Sequence, residues 1–141
     1  MTKYNKILAA IDFNEYSDAV IQSALMQAEC SGAVLTALHV VDYTRPIDDD
    51  YIIPPTDKKE EDLLNAASKQ LEDMLSRLGA TGVRPVVVLG RPKLAILRVA
   101  QQEASDLIVI GTHGHHGIID LLGSTTDRVL HRAPCHVLTV K

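Results

Sequence analysis

The sequence predicts an α/β domain: a doubly wound, five-stranded parallel sheet of order 3-2-1-4-5 with helices on both faces. Three observations predict it. Short continuous apolar runs, such as a strand buried on both faces requires, alternate with longer stretches whose apolar residues recur every three or four positions. The resulting order reads βαβαβαβαβ, which builds a parallel sheet through right-handed crossovers. The length of 141 residues suits one domain, and no repeat, low-complexity tract or linker divides it.

Lys6-Ile7-Leu8-Ala9-Ala10-Ile11 is the first strand, ended by Asp12. Asn14 or Ser17 is the expected cap of the next helix, in which Val20, Ile21, Ala24, Leu25 and Ala28 share a face and which stops at Ser31-Gly32. The second strand runs over 33–41. A polar loop over 42–56 follows, with Pro46, Pro54, Pro55 and the run Asp48-Asp49-Asp50. That run is read first as solvated loop and second as a metal site. Leu64, Ala67, Leu71, Met74, Leu75 and Leu78 then predict a long amphipathic helix over 57–78, closed by Gly79. The third strand spans 84–89. Pro92 suits the first position of the helix that contains Leu94, Ala95, Leu97, Val99 and Ala100. Leu107-Ile108-Val109-Ile110 is the fourth strand. A short helix over 124–131 is followed by Ala133-Pro134 and the last strand over 135–140, and Ser124 with Asp127 resembles a capping box.

Composition narrows the function. With no Trp, one Phe and four Tyr, the core must be aliphatic and stacking platforms for single-stranded nucleic acid are not expected. A net charge of −4 gives no general attraction to nucleic acid or anionic lipid. No apolar run approaches the roughly 18 residues of a membrane span, and the opening run is too short for a secretory leader. Cys30 and Cys135 form no C-x-x-C pair and read as two small buried thiols, unlinked, in a reducing compartment. A cytoplasmic protein is expected.

The segment after the fourth strand concentrates the chemistry. Gly111, Gly114, Gly117 and Gly123 are four of the chain's eight glycines. A buried strand, a glycine-rich turn and a helix opened by Ser124-Thr125 can cradle phosphate with backbone N–H groups. In a sheet of order 3-2-1-4-5, strands 1 and 4 are neighbours at the point where the winding reverses, and ligands bind there beyond the carboxyl ends. That topology brings Asp12 beside Gly111. Asp12 can accept from a ribose hydroxyl or hold Mg²⁺ through water; Val40, Val41 and Ala10 can line an apolar slot for a base. Each has a plainer reading: Ser124 as a cap, the glycines as turn residues, Asp12 as a strand end. Their convergence on one crevice favours nucleotide binding. His113, His115 and His116 sit in the same loop, where contact with phosphate or solvent is a better reading than a metal site, because no carboxylate or cysteine stands at ligand spacing.

At this point the residues resemble a known family. Ile7-Leu8-Ala9-Ala10-Ile11-Asp12, His39-Val40-Val41-Asp42, Gly90-Arg91-Pro92, Gly111-Thr112-His113-Gly114, Gly123-Ser124-Thr125 and Ala133-Pro134-Cys135 together resemble the universal stress protein family over essentially the whole chain. The resemblance implies a Rossmann-like or flavodoxin-like fold, a homodimer and, in one branch, bound ATP. The glycine pattern of that ATP-binding branch maps onto Gly111, Gly114, Gly123 and Ser124, with Thr125 next. Its acid maps onto Asp12, its base-contacting valine onto Val40, and Ala10 falls where strand 1 approaches the nucleotide. His113 lies inside the pattern. One departure stands out: eight residues separate Gly114 from Gly123, one fewer than the pattern.

Other classes fit less well. No G-x-x-x-x-G-K-[ST] loop and no catalytic constellation is present, so an enzyme is not expected. A phosphoacceptor domain would want an aspartate after the third strand, where Gly90 stands. A nucleotidyl transferase would want its histidine cluster after the first strand. The rival is a nucleotide-free dimeric binding module of the same fold, favoured by the shortened loop. The apolar last strand, Val137-Leu138-Thr139-Val140, is expected at a sheet edge and invites a two-fold partner. A regulatory protein partner is expected as well, its identity open.

Overall fold

The computed structural model describes residues 3–45, 52–112 and 124–141, and in the helix opening at Ser124 it describes side chains from Arg128 onward. The elements are β1 (Lys6–Ile11), α1 (Ser17–Ser31), β2 (Val34–Asp42), β3 (Ile52–Ile53), α2 (Lys58–Arg77), β4 (Arg84–Gly90), α3 (Pro92–Gln102), β5 (Leu107–Gly111), α4 (Ser124–Arg132) and β6 (His136–Val140). The sheet order is β3-β4-β2-β1-β5-β6. β1, β2, β4, β5 and β6 are the five expected strands in the expected order, all parallel. The sixth strand, β3, is new. It runs antiparallel to β4, with Ile52 opposite Gly90 and Ile53 opposite Leu89. Two residues are too few to show a period, so β3 was hidden in what reads as polar loop.

The sheet separates two apolar layers because side chains alternate along each strand. On one face Ile7, Ala9, Ile11, Leu35, Ala37, Leu107 and Val109 pack with Val20, Ile21 and Ala24 of α1 and Leu71, Met74 and Leu75 of α2. On the other, Leu8, Ala10, Leu38, Val40, Ile108 and Ile110 pack with Ala95, Ile96, Val99 and Ala100 of α3 and Val129 of α4. Leu71, fully buried, alone contributes about 2–3 kcal/mol of burial. The small residues Ala9, Ala10 and Ala37 at the sheet centre let helices approach from both sides.

Helix boundaries follow local chemistry. Asp57 caps α2, its carboxylate accepting from the Glu60 amide at 2.8 Å. Pro92 is the first residue of α3. Gly32 ends α1 with φ 70, a left-handed conformation open to glycine at little cost. The start of α1 departs from expectation, since neither Asn14 nor Ser17 caps it. Tyr16 holds the cap position and makes no side-chain cap bond. Asn14 instead accepts from the Tyr16 amide at 2.8 Å, a turn of its own, and the Ser17 hydroxyl accepts from the Asn14 amide at 3.1 Å. The cysteine reading is also corrected. Both thiols are free, but Cys30 is exposed and Cys135 half-buried. Cys30 falls two positions past Ala28, off the buried stripe of α1, and Cys135 leads into the edge strand.

Candidate functional site

β1 is flanked by β2 and β5, and the chain reverses its winding between them. Ile11 pairs with His39 on β2, and Ala10 pairs with Ile110 on β5. Continuing the β2 register by one residue and the β5 register by two sets Asp12 level with Val40 on one side and Thr112 on the other, with Gly111 one residue back. These positions thus form a row across three adjacent strands at their carboxyl ends, spanning roughly 10 Å at ordinary strand spacing. Ala10 and Val40 belong to the same apolar layer, 6% and 5% exposed. Asp12, the first residue after β1, continues the sequence parity of Leu8 and Ala10, whose side chains lie in that layer. An acid, two small aliphatic residues and a glycine strand end therefore share one rim of the sheet.

The β5 end is fixed from the far side. Gly111 pairs with Val140, and the Thr112 amide donates to the Val140 carbonyl at 2.9 Å. His113, Gly114 and Gly123, along with His115 and His116, lie outside the described residues, as does the Asp48-Asp49-Asp50 run. Ser124 and Thr125 are the first two residues of α4. The first amides of any helix lack internal partners; here they belong to the residues that the glycine motif singled out.

Farther along the same rim, beyond the carboxyl ends of β2 and β4, an ionic cluster ties the chain down. The Arg45 guanidinium donates to the buried Glu60 carboxylate, at 3.0 Å from Nε, and to the Pro54 carbonyl at 2.7 Å. The Thr56 amide donates to Glu60 at 3.0 Å. The Arg45 hydrogen bonds, followed by that of Thr56, hold the Glu60 carboxyl well below the usual carboxylate range. Tyr43, whose hydroxyl bonds Glu60, is pushed up by the same negative charge, and its amide donates to the Gly90 carbonyl at 3.0 Å. This cluster clamps the segment after β2 and the short β3 against the N-terminus of α2. Sequence reading missed it because Arg45, Glu60 and Thr56 share no periodic face.

Two residues beside Asp12 also escaped the sequence reading. Phe13 takes φ 55, and its ring centroid lies 4.2 Å from that of His39. Nothing in the one-dimensional pattern marks a left-handed phenylalanine. Among the described residues, no group of three or more His, Cys, Asp or Glu side chains is placed to hold a metal ion, and no helix is long and apolar enough to cross a membrane. A cavity of about 350 Å³ lies elsewhere, lined by Tyr4, Ser105, Asp106, Pro134, Cys135 and His136 at the amino ends of β5 and β6. Its polar groups serve the fold. Both Asp106 oxygens accept from the backbone, from Asn5 at 2.8 Å and Lys6 at 3.0 Å, and burial pushes the Cys135 thiol up.

A parallel sheet wound in both directions from β1, with helices packed on both faces, makes this a small doubly wound α/β protein. The chain belongs to the universal stress protein family, whose model matches residues 3–141. It is 35% identical to universal stress protein A homolog 1 of Coxiella burnetii, over 97% of this chain and 96% of that one. Among solved structures it resembles the universal stress protein UspA from Lactobacillus plantarum, with 30% identity, a TM-score of 0.79 and full coverage of both chains. A universal stress protein solved in complex with cAMP shares the fold at 23% identity and a TM-score of 0.72, over 99% of each chain.

Proposed function

We propose that this protein binds ATP or a related adenine nucleotide at the carboxyl rim and acts as a non-enzymatic regulator of the stress response, as a cytoplasmic homodimer. The observation that carries the reading is the pairing of β1 with both β2 and β5, from which Asp12, Val40 and the Gly111-Thr112 strand end follow at adjacent carboxyl ends. In this reading Ala10 and Val40 face the base, and Asp12 accepts from a ribose hydroxyl. Backbone amides of Gly111, His113, Gly114, Gly123, Ser124 and Thr125 receive the phosphates, aided by the hydroxyls of Ser124 and Thr125. Mg²⁺ on the phosphates would reach Asp12 through water. A relative in complex with cAMP supports the adenine class, because that protein has the same fold.

Calorimetric titration with ATP and with ATP–Mg²⁺ tests the reading. Saturating nucleotide should raise Tm, by the linkage that makes ligand at 100 times its Kd worth about 2.7 kcal/mol. Gly114→Tyr should abolish that shift. No heat and no Tm change in the parent protein would overturn the reading and leave the nucleotide-free module, which the eight-residue spacing between Gly114 and Gly123 favours.

The edge position of β6 supports assembly. Val137, Leu138 and Val140 are half-buried on a strand paired only through β5 among the described residues. In our reading a second copy pairs with it about a two-fold axis. Light scattering should give a dimer mass at micromolar concentration, and Leu138→Lys should shift it to monomer.

A further inference from the structure

We propose that His39 is a positioning residue for Asp12, acting through the peptide bond that joins Ile11 to it. The ligand in this inference rests on the nucleotide reading above; the geometry stands apart from it. His39 on β2 is the register partner of Ile11 on β1, and its Nδ1 lies 2.9 Å from the Ile11 carbonyl oxygen. A carbonyl only accepts, so Nδ1 carries the proton and donates. The Ile11 carbonyl and the Asp12 N–H belong to one planar unit. A side chain that holds the oxygen therefore fixes the plane from which Asp12 departs.

The next residue completes the device. Phe13 takes φ 55, a conformation that costs any side-chain-bearing residue strain and that persists only where its surroundings enforce it. Its ring lies against the imidazole at 4.2 Å between centroids, inclined by 37°, and packs on the α1 and α2 layer. Ile11, Phe13 and, by alternation from Leu35 and Ala37, His39 occupy that layer's side of the sheet. Ala10 and Val40 occupy the other. His39 and Phe13 thus form a buttress behind the elbow. It holds the turn after β1 from the side opposite Ala10 and Val40, where the ligand of the nucleotide reading would lie. Neither ring needs to touch the ligand.

The test is titration of ATP and of 2′,3′-dideoxy-ATP into the parent protein and the variants His39→Ala, His39→Asn, Asp12→Ala and the His39→Ala/Asp12→Ala double. Losing the positioning should weaken ATP binding by His39→Ala about tenfold, the scale of one well-made hydrogen bond. His39→Asn keeps a donor near the Nδ1 position and should stay within about twofold. The dideoxy analogue should bind His39→Ala and the parent alike, and His39→Ala should add nothing once Asp12 is gone. Equal losses for both nucleotides, or losses that add in the double variant, would overturn the inference in favour of a general structural role. If the parent binds neither nucleotide, the proposed function fails, and amide hydrogen exchange on the free protein decides the positioning claim. His39→Ala should speed exchange at Asp12 and Phe13 while Leu8 and Ile108 keep their protection; unchanged exchange at Asp12 and Phe13 would refute it.

Discussion

Replacing Val129 with alanine asks how the helix bearing Ser124 and Thr125 is held. Val129 is fully buried in the α3 layer, whereas its neighbour Leu130 is 41% exposed. The substitution removes two methyl-sized groups from a closed site. At about 0.8 kcal/mol each, transfer alone costs about 1.6 kcal/mol. The cavity left in this layer raises the total to about 2–3 kcal/mol. For a chain of this length that corresponds to a fall in Tm of about 7–10 °C. Leu130→Ala, which removes more atoms from an exposed position, should cost no more than about 0.5 kcal/mol. Urea unfolding at 25 °C reads both. Because α4 is the element that supplies Ser124 and Thr125, Val129→Ala should also lower protection of the α4 amides and weaken any ATP binding, and Leu130→Ala should do neither. Equal stability of the two variants would refute the view that a single side chain anchors α4.

Three further outcomes are expected. Glu60 has its carboxyl pKa depressed by Arg45, so its stabilising contribution is complete above the ordinary glutamate value of 4.5 and is lost as pH falls below it. Urea midpoints should therefore drop between pH 5 and 3 in the parent and fall less steeply in Glu60→Gln; parallel curves would remove Glu60 from the acid response. Gly32→Ala should lower stability by about 1 kcal/mol in thermal unfolding, because φ 70 strains any Cβ although nothing lies within 4 Å of it. Asp57→Ala should cost about 1 kcal/mol through the lost cap on α2, and Asp57→Ser should recover most of it in the same assay.

Much of this fold can be read from the chain because its strands are buried on both faces. Runs such as Leu107 to Ile110 have no polar residue to confuse with a helix, and Asp57, Gly79 and Pro92 mark helix limits by chemistry that acts within a few residues. What lies between periodic elements is harder to read. β3 exists because Ile52 and Ile53 find the end of β4, and Arg45 and Glu60 meet across fifteen positions of irregular chain. The exposure of Cys30 depends on the phase of α1, which a composition argument ignores. At the rim, Asp12, Val40 and Gly111 could be grouped from topology alone. His39 and Phe13 could not, since a side chain bonding a neighbouring backbone and a left-handed phenylalanine are settled only when β1 and β2 pair.

The two margins of the sheet differ in what they offer to another chain. At the β4 margin, β3 closes off Leu89 and Gly90, and Pro85 brings no backbone N–H to any newcomer. At the β6 margin, the side of His136 to Val140 away from β5 pairs with no strand among the described residues. In the dimer proposed above, each copy takes up the other's β6 margin, and the border left outward is the one that β3 shortens and Pro85 interrupts.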